Sequence, residues 1–170
     1  MAEIFKPYLC IIRDTLDFAL DIRNLPSQVY EKINRPQVEV RENDELLMKP
    51  ITICRNEEEK IEVEPSINSV RINFVMKKHA YLEELLINIY SRFLMNRADR
   101  LNILKKKAKN GFDITFLITN YHLETYKKEE IIDFIVDFIQ DLEKEINEMK
   151  LMVNTQFRFS STHFMENLKY

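Results

Sequence analysis

Three histidines, two cysteines and a run of lysines are the residues of this 170-residue sequence with the most obvious chemical potential. His79, His122 and His163 stand tens of residues apart from one another and from Cys10 and Cys54. Metal sites need ligands at paired spacings such as HExxH or CxxC, and neither occurs. Histidines isolated in this way read as surface or helix-capping residues. Ser160, Ser161 and Thr162 adjoin His163, but a nucleophile and its base must meet in space, which adjacency in sequence does not arrange. Carboxylates crowd the stretch from Asp141 to Glu148 at helical spacing, where they solvate a helix face rather than isolate an acid for catalysis. No catalytic constellation emerges. The sequence reads as a non-enzyme, with no metal and no cofactor expected.

The lysines are different. Lys105, Lys106, Lys107 and Lys109 lead into Asn110-Gly111, a dipeptide suited to the two positive φ values of a type I′ hairpin turn. A two-residue turn would pair Lys109 with Phe112, Lys107 with Ile114 and Lys105 with Phe116. That register puts two lysines on the apolar face. Either the hairpin tip overhangs the core, or a bulge or longer loop shifts the register. The ammonium groups then guard a strand edge against aggregation or dock an acidic surface, and the pattern fits both.

The elements that must position these residues follow from periodicity. Residues 4–22 read as a helix with Phe5, Tyr8, Leu9, Ile12, Leu16, Ala19 and Leu20 on one stripe. Ile4, Ile11, Phe18 and Ile22 form a neighbouring stripe, so the apolar arc is wide enough for two surfaces. Pro7 is expected in the first turn, where a missing N–H is harmless. A polar connection occupies 24–45. Alternation then predicts strands at 51–54, 61–64 and 70–76, with a charged hairpin loop from Asn56 to Glu59. A helix is expected from Tyr81 to Arg97, and a second hairpin carries the lysines and the strand from Phe112 to Thr119. The last helix runs from about Thr125 to Lys150, broad and apolar at first, then narrowing to Leu142, Ile146 and Met149. An apolar tail from Leu151 to Tyr170 follows. The expectation is one α+β domain over 1–150, two-layered, with a mostly antiparallel sheet, and a tail at 151–170 that packs on partners.

Composition narrows the classes further. With 45% hydrophobic and 31% charged residues the chain is globular rather than disordered. Gly111 is the single glycine, which argues against phosphate-cradling loops and nucleophile elbows. A net charge of −3 is too mild to imply nucleic acid or a membrane as bulk partner. No apolar run approaches the ~20 residues of a membrane span, and the N-terminus does not read as a signal peptide. Cys10 and Cys54 read as small buried hydrophobes of a reducing compartment.

Particular strings then become recognisable: Lys6-Pro7-Tyr8-Leu9, Ser27-Gln28-Val29, Pro36-Gln37-Val38-Glu39-Val40-Arg41 and Arg55-Asn56-Glu57. They are joined by Ser66-Ile67-Asn68-Ser69-Val70-Arg71, Phe116-Leu117-Ile118-Thr119-Asn120 and Glu148-Met149-Lys150-Leu151. Together they resemble the twenty-kilodalton subunits (subunit 4) of the actin-nucleating actin-related protein 2/3 complex, in order over essentially the full chain. The resemblance implies a non-catalytic scaffold subunit of the cytoplasmic actin cytoskeleton that supports filament nucleation and branching. It implies a heterodimer with the thirty-four-kilodalton subunit through antiparallel long helices, here along the seam Ile135, Phe138, Leu142, Ile146 and Met149. It also implies neighbours among the actin-related proteins and other subunits, and contact with the mother filament through Lys105, Lys106, Lys107 and Arg158. The residues alone leave a second class open: a small α+β adaptor or chaperone that binds a helical partner outside any actin complex.

Overall fold

The computed structural model describes residues 2–21, 35–76, 101–105 and 107–168. The helix expected from Tyr81 to Arg97 and residues 24–34 of the polar connection lie outside the described residues. The chain divides into two units, Met1–Asp133 and Phe134–Tyr170.

In the first unit, helix α1 (Ala2–Ala19) buries Leu9, Ile12, Leu16 and Ala19, and Leu20 just beyond it, and packs on the sheet at β2 (Lys60–Pro65). Of the second apolar stripe, Ile11 (51%) and Phe18 (72%) are exposed. Pro7 lies inside the helix rather than in its first turn, so the carbonyl one turn back lacks its usual donor. Arg13 and Lys128 tie α1 to the start of the last helix through Asp133 (2.6 Å) and Asp17 (2.9 Å). These pairs are largely exposed and contribute little beyond orientation.

Among the described residues the sheet has four strands in the order β1 (Ile51–Cys54), β2, β3 (Ser69–Val75) and β4 (Ile114–Thr119), each pair antiparallel. Alternation sorts its faces as expected. Ile53, Ile61, Val63, Val70, Ile72, Phe74, Ile114, Phe116 and Ile118 are buried on one face, where Phe74 and Phe116 meet edge to face at 5.6 Å. The α+β class and the antiparallel sheet stand. The second hairpin is less regular than its turn dipeptide predicts. Of the two central residues only Gly111 has a positive φ, 84°, so the turn is not type I′. The incoming segment makes an isolated bridge, Leu104 to Phe116, in place of a fifth regular strand. Leu104 rather than Lys105 therefore faces Phe116. That one-residue shift takes Lys105 off the apolar face, in keeping with the alternative of a shifted register.

Three of the strings that carried the resemblance, at 36–41, 66–71 and 116–120, prove to be structural joints. Ser66 and Ser69 close the β2–β3 turn: Ser66 N–H donates to the Ser69 carbonyl at 2.8 Å, and the two hydroxyls lie 2.8 Å apart. The Asn68 side-chain oxygen accepts from Gln37 N–H at 3.0 Å, while its amide donates to the Arg35 carbonyl at 2.9 Å. The turn thereby holds the short helix α2 (Gln37–Val40), which buries Val38. At the end of β4, Thr119 opens helix α3 (Asn120–Thr125) with a reciprocal cap, its N–H donating to His122 Nδ1 at 3.0 Å.

The final helix, α4, runs unbroken from Lys128 to Asn167, past the expected end at Lys150 and through the expected tail. At ~1.5 Å per residue its 40 residues span about 60 Å. Both cysteines are exposed, contrary to the expectation that they are buried. Cys54 points to the wet side of its strand, between the buried Ile53 and the turn, and Cys10 follows Leu9 on the outward side of α1.

Asn68 offers a direct check on the joint. Asn68→Ala should cost about 1–3 kcal/mol in urea unfolding, because it strands the buried Gln37 N–H. Asn68→Asp, which keeps the accepting oxygen but not the donor to Arg35, should recover part of that loss.

Candidate partner-binding surfaces

Three surfaces follow from where the sequence places charge and apolar area: the polar face of the sheet, the basic hairpin and the second half of α4. The polar face is built by alternation. Residues opposite one another on β2, β3 and β4 are Glu64 and Arg71, Glu62 and Asn73, and Asn73 and Thr115. Arg71 Nε donates to Glu64 at 2.6 Å and Asn73 Nδ2 at 2.8 Å, and Thr115 donates to Asn73 at 2.9 Å. Two cations arrive from elsewhere. Arg41, in left-handed conformation at the end of α2, reaches Glu64 at 2.8 Å. Lys109 reaches Glu64 at 2.8 Å and Glu62 at 2.7 Å.

Glu64 is the centre of this array, with a side chain only 5% exposed. Burial pushes its pKa up, but hydrogen bonds from Arg71, Lys109 and Asn73 together with the Arg71 charge outweigh it and bring the pKa down to about 2. Such a carboxylate is ionised at every physiological pH. Its chemistry is to hold cations, not to move protons. The sequence carried one signal of it, Glu64 and Arg71 on the same face of a predicted hairpin. Lys109 and Arg41 could not be read, because they close over 45 and 23 residues.

The hairpin lysines do not act as one patch. Lys105 is paired with Glu39 at 2.9 Å, Lys109 is drawn into the carboxylates, and Lys107 is exposed. Lys106 lies outside the described residues. Arg158 is exposed on α4, in the second unit. His122 is nearly buried, and burial lowers its pKa, with a backbone hydrogen bond to Asn102 acting in the opposite sense. It is a neutral capping residue at pH 7. His163 is exposed beside Phe159, with ring centroids 6.4 Å apart, and His79 is outside the described residues.

Ile135, Phe138, Leu142 and Ile146 are buried within this chain alone, and only Met149 is half-exposed. The apolar side chains left in solvent lie further on: Leu151, Met152, Phe157, Phe159, Phe164, Met165 and Leu168. At 100° per residue Met152 and Phe159 share one side of the helix, while Phe157, Phe164 and Leu168 share another. A helix apolar on more than one side is normally enclosed. Among the described residues no helix is long and apolar enough to cross a membrane, and no group of three His, Cys, Asp or Glu residues could hold a metal ion.

Fold and surfaces together define a class: an α+β chain whose chemistry-bearing side chains are tied into joints, and whose unspent apolar surface is concentrated on one long helix. Comparison with known proteins supplies the family. The model for the ARP2/3 complex 20 kDa subunit (ARPC4) matches residues 1–167, and the chain belongs to that family. It is 42% identical over 166 residues to a probable actin-related protein 2/3 complex subunit 4 of Caenorhabditis elegans, covering 98% of each chain. Subunit 4 of Saccharomyces cerevisiae is 40% identical over 171 residues and covers both chains fully. The Dictyostelium discoideum protein is 39% identical over 167 residues, covering 98% of this chain and 99% of its own.

The charge array makes a pH prediction. The folded pKa of Glu64 lies below its ordinary 4.5, so its stabilisation is complete above pH 4.5 and is lost as pH falls toward 2. Glu64→Gln should lower stability at pH 7 by on the order of 3 kcal/mol, since three cations lose their shared partner. It should also flatten the pH dependence of denaturation between 4.5 and 2. An unchanged slope in that window would show that other carboxylates control acid unfolding.

Proposed function

We propose that the chain is a structural subunit of an actin-related protein 2/3 complex in the cytoplasmic actin cytoskeleton, where it supports filament nucleation and branching. In this reading α4 pairs with a long helix of the thirty-four-kilodalton subunit, and basic residues of the same chain meet the mother filament. Its relatives in nematode, yeast and Dictyostelium are named as subunit 4 of that complex. The observation that carries the reading on this chain is the exposed apolar row from Leu151 to Leu168. Covering such side chains is worth about 1.5–3 kcal/mol each, and a continuous exposed row invites aggregation.

The pairing surface includes the exposed apolar side chains that follow the buried part of α4. Met149 joins the buried seam of Ile135, Phe138, Leu142 and Ile146 to the exposed row, and 151–170 is the part that packs on partners. The filament contact is assigned to Lys105, Lys106, Lys107 and Arg158. The exposed position of Lys107 and Arg158 supports it, and the pairing of Lys105 with Glu39 makes that lysine the weaker contributor. The exposed second stripe of α1, Ile11 and Phe18, suits the flank of another subunit.

Phe157→Asp combined with Phe164→Asp tests the pairing. Both side chains are exposed in this chain alone, so its sheet should keep its circular dichroism and melting behaviour. Co-purification with the larger partner subunit should be lost. Retention at full yield through size-exclusion chromatography would overturn the assignment, and an otherwise well-behaved monomer would favour an adaptor role outside the complex.

A further inference from the structure

In the basic hairpin the ammonium of Lys109 is committed twice over. Lys109 Nζ sits 2.7 Å from Glu62 and 2.8 Å from Glu64, over the Phe112 ring at 5.2 Å. Its backbone is fixed as well: its N–H donates to the Thr115 hydroxyl at 2.9 Å, and its carbonyl accepts the Phe112 N–H at 3.0 Å. An acidic partner would have to displace two carboxylates to engage this side chain. Four residues back, Lys105 donates its N–H to the Thr115 carbonyl at 2.9 Å and holds Glu39 with its ammonium. Lys107 lies midway between these two fixed points and is exposed.

We infer that Lys109 is a positioning residue, clamped between Glu62 and Glu64, which sets the hairpin tip so that Lys107 can meet an acidic surface. The inference rests on the filament-contact reading given above. Its physical basis is pre-organisation. A loop tied at both ends has less freedom to lose on binding than one tied at one end, and each ordered long side chain otherwise costs a measurable part of the affinity. The clamp also separates two jobs that the sequence runs together. Lys109 spends its charge inside the fold, while Lys107 keeps its own for the outside.

The test is co-sedimentation of the assembled complex with actin filaments at low ionic strength, where exposed charges act most strongly. Lys107→Ala should weaken binding by about three- to tenfold. Lys109→Met should weaken it by a similar factor, Lys109→Arg should restore it, and the double variant K107A/K109M should bind no worse than K107A alone. Glu62→Gln, which frees one side of the clamp and leaves the cations on Glu64 in place, should reproduce the Lys109→Met effect. It serves as the reading if Lys109→Met fails to assemble. Unchanged binding by K107A would remove Lys107 from the filament contact and this inference with it. Weakened K107A beside wild-type binding by K109M and E62Q would overturn the inference alone and leave the contact standing. Additive losses in the double variant would also overturn it, because they would make Lys109 a contact in its own right.

Discussion

The charge on Glu64 is the constraint to which most of the first unit answers. An ionised carboxylate with 5% exposure cannot persist without partners, and it recruits them from three places in the chain. Arg71 comes from the neighbouring strand, Arg41 from the end of α2, and Lys109 from the hairpin before β4. Each contact by itself is an ordinary ion pair. Their joint effect is positional: a short helix, a strand register and a hairpin tip are all defined relative to one side chain. A hydrophobic replacement could stabilise as much, but it would not tell three segments where to sit.

Much of this was legible from pattern. The strands at 51–54, 61–64 and 70–76 were readable because alternation on a half-buried sheet leaves few alternatives, and the observed register follows it. The two-sided nature of α1 was readable for the same reason, since Ile11 and Phe18 fall off its buried stripe. The hairpin register was not. Asn-Gly states a local preference, and it lost to contacts made far away: Lys109 to Glu62 and Glu64, and the Lys109 N–H to Thr115. The end of α4 is not legible at Lys150, where the charge density drops, because a helix ends for lack of backbone partners or at a breaker. The sequence beyond Lys150 contains neither glycine nor proline.

Apolar excess on the last helix is plain in the sequence, and the structure adds that Ile135, Phe138, Leu142 and Ile146 are buried while the exposed apolar side chains start at Leu151. Burial by one's own fold and burial by a neighbour look alike in a periodicity plot, and only a three-dimensional arrangement separates them. The lysines show the same limit, since neighbouring cations in sequence need not share a fate.

The unbroken run of α4 to Asn167 has a consequence for how such a chain is made. Starting a helix is the costly step, and here it occurs at Lys128, upstream of anything exposed. The stretch beyond Met149 only has to propagate. Its phenylalanines, threonines and asparagines are mediocre helix formers, so in water that stretch is marginal and its outer turns are free to melt. A companion chain that wraps it would tip the helix–coil balance by mass action, and ordering of the last turns would scale with the companion's concentration. A copy synthesised in excess would then carry an unravelled, greasy end, which is what quality-control proteases and chaperones recognise.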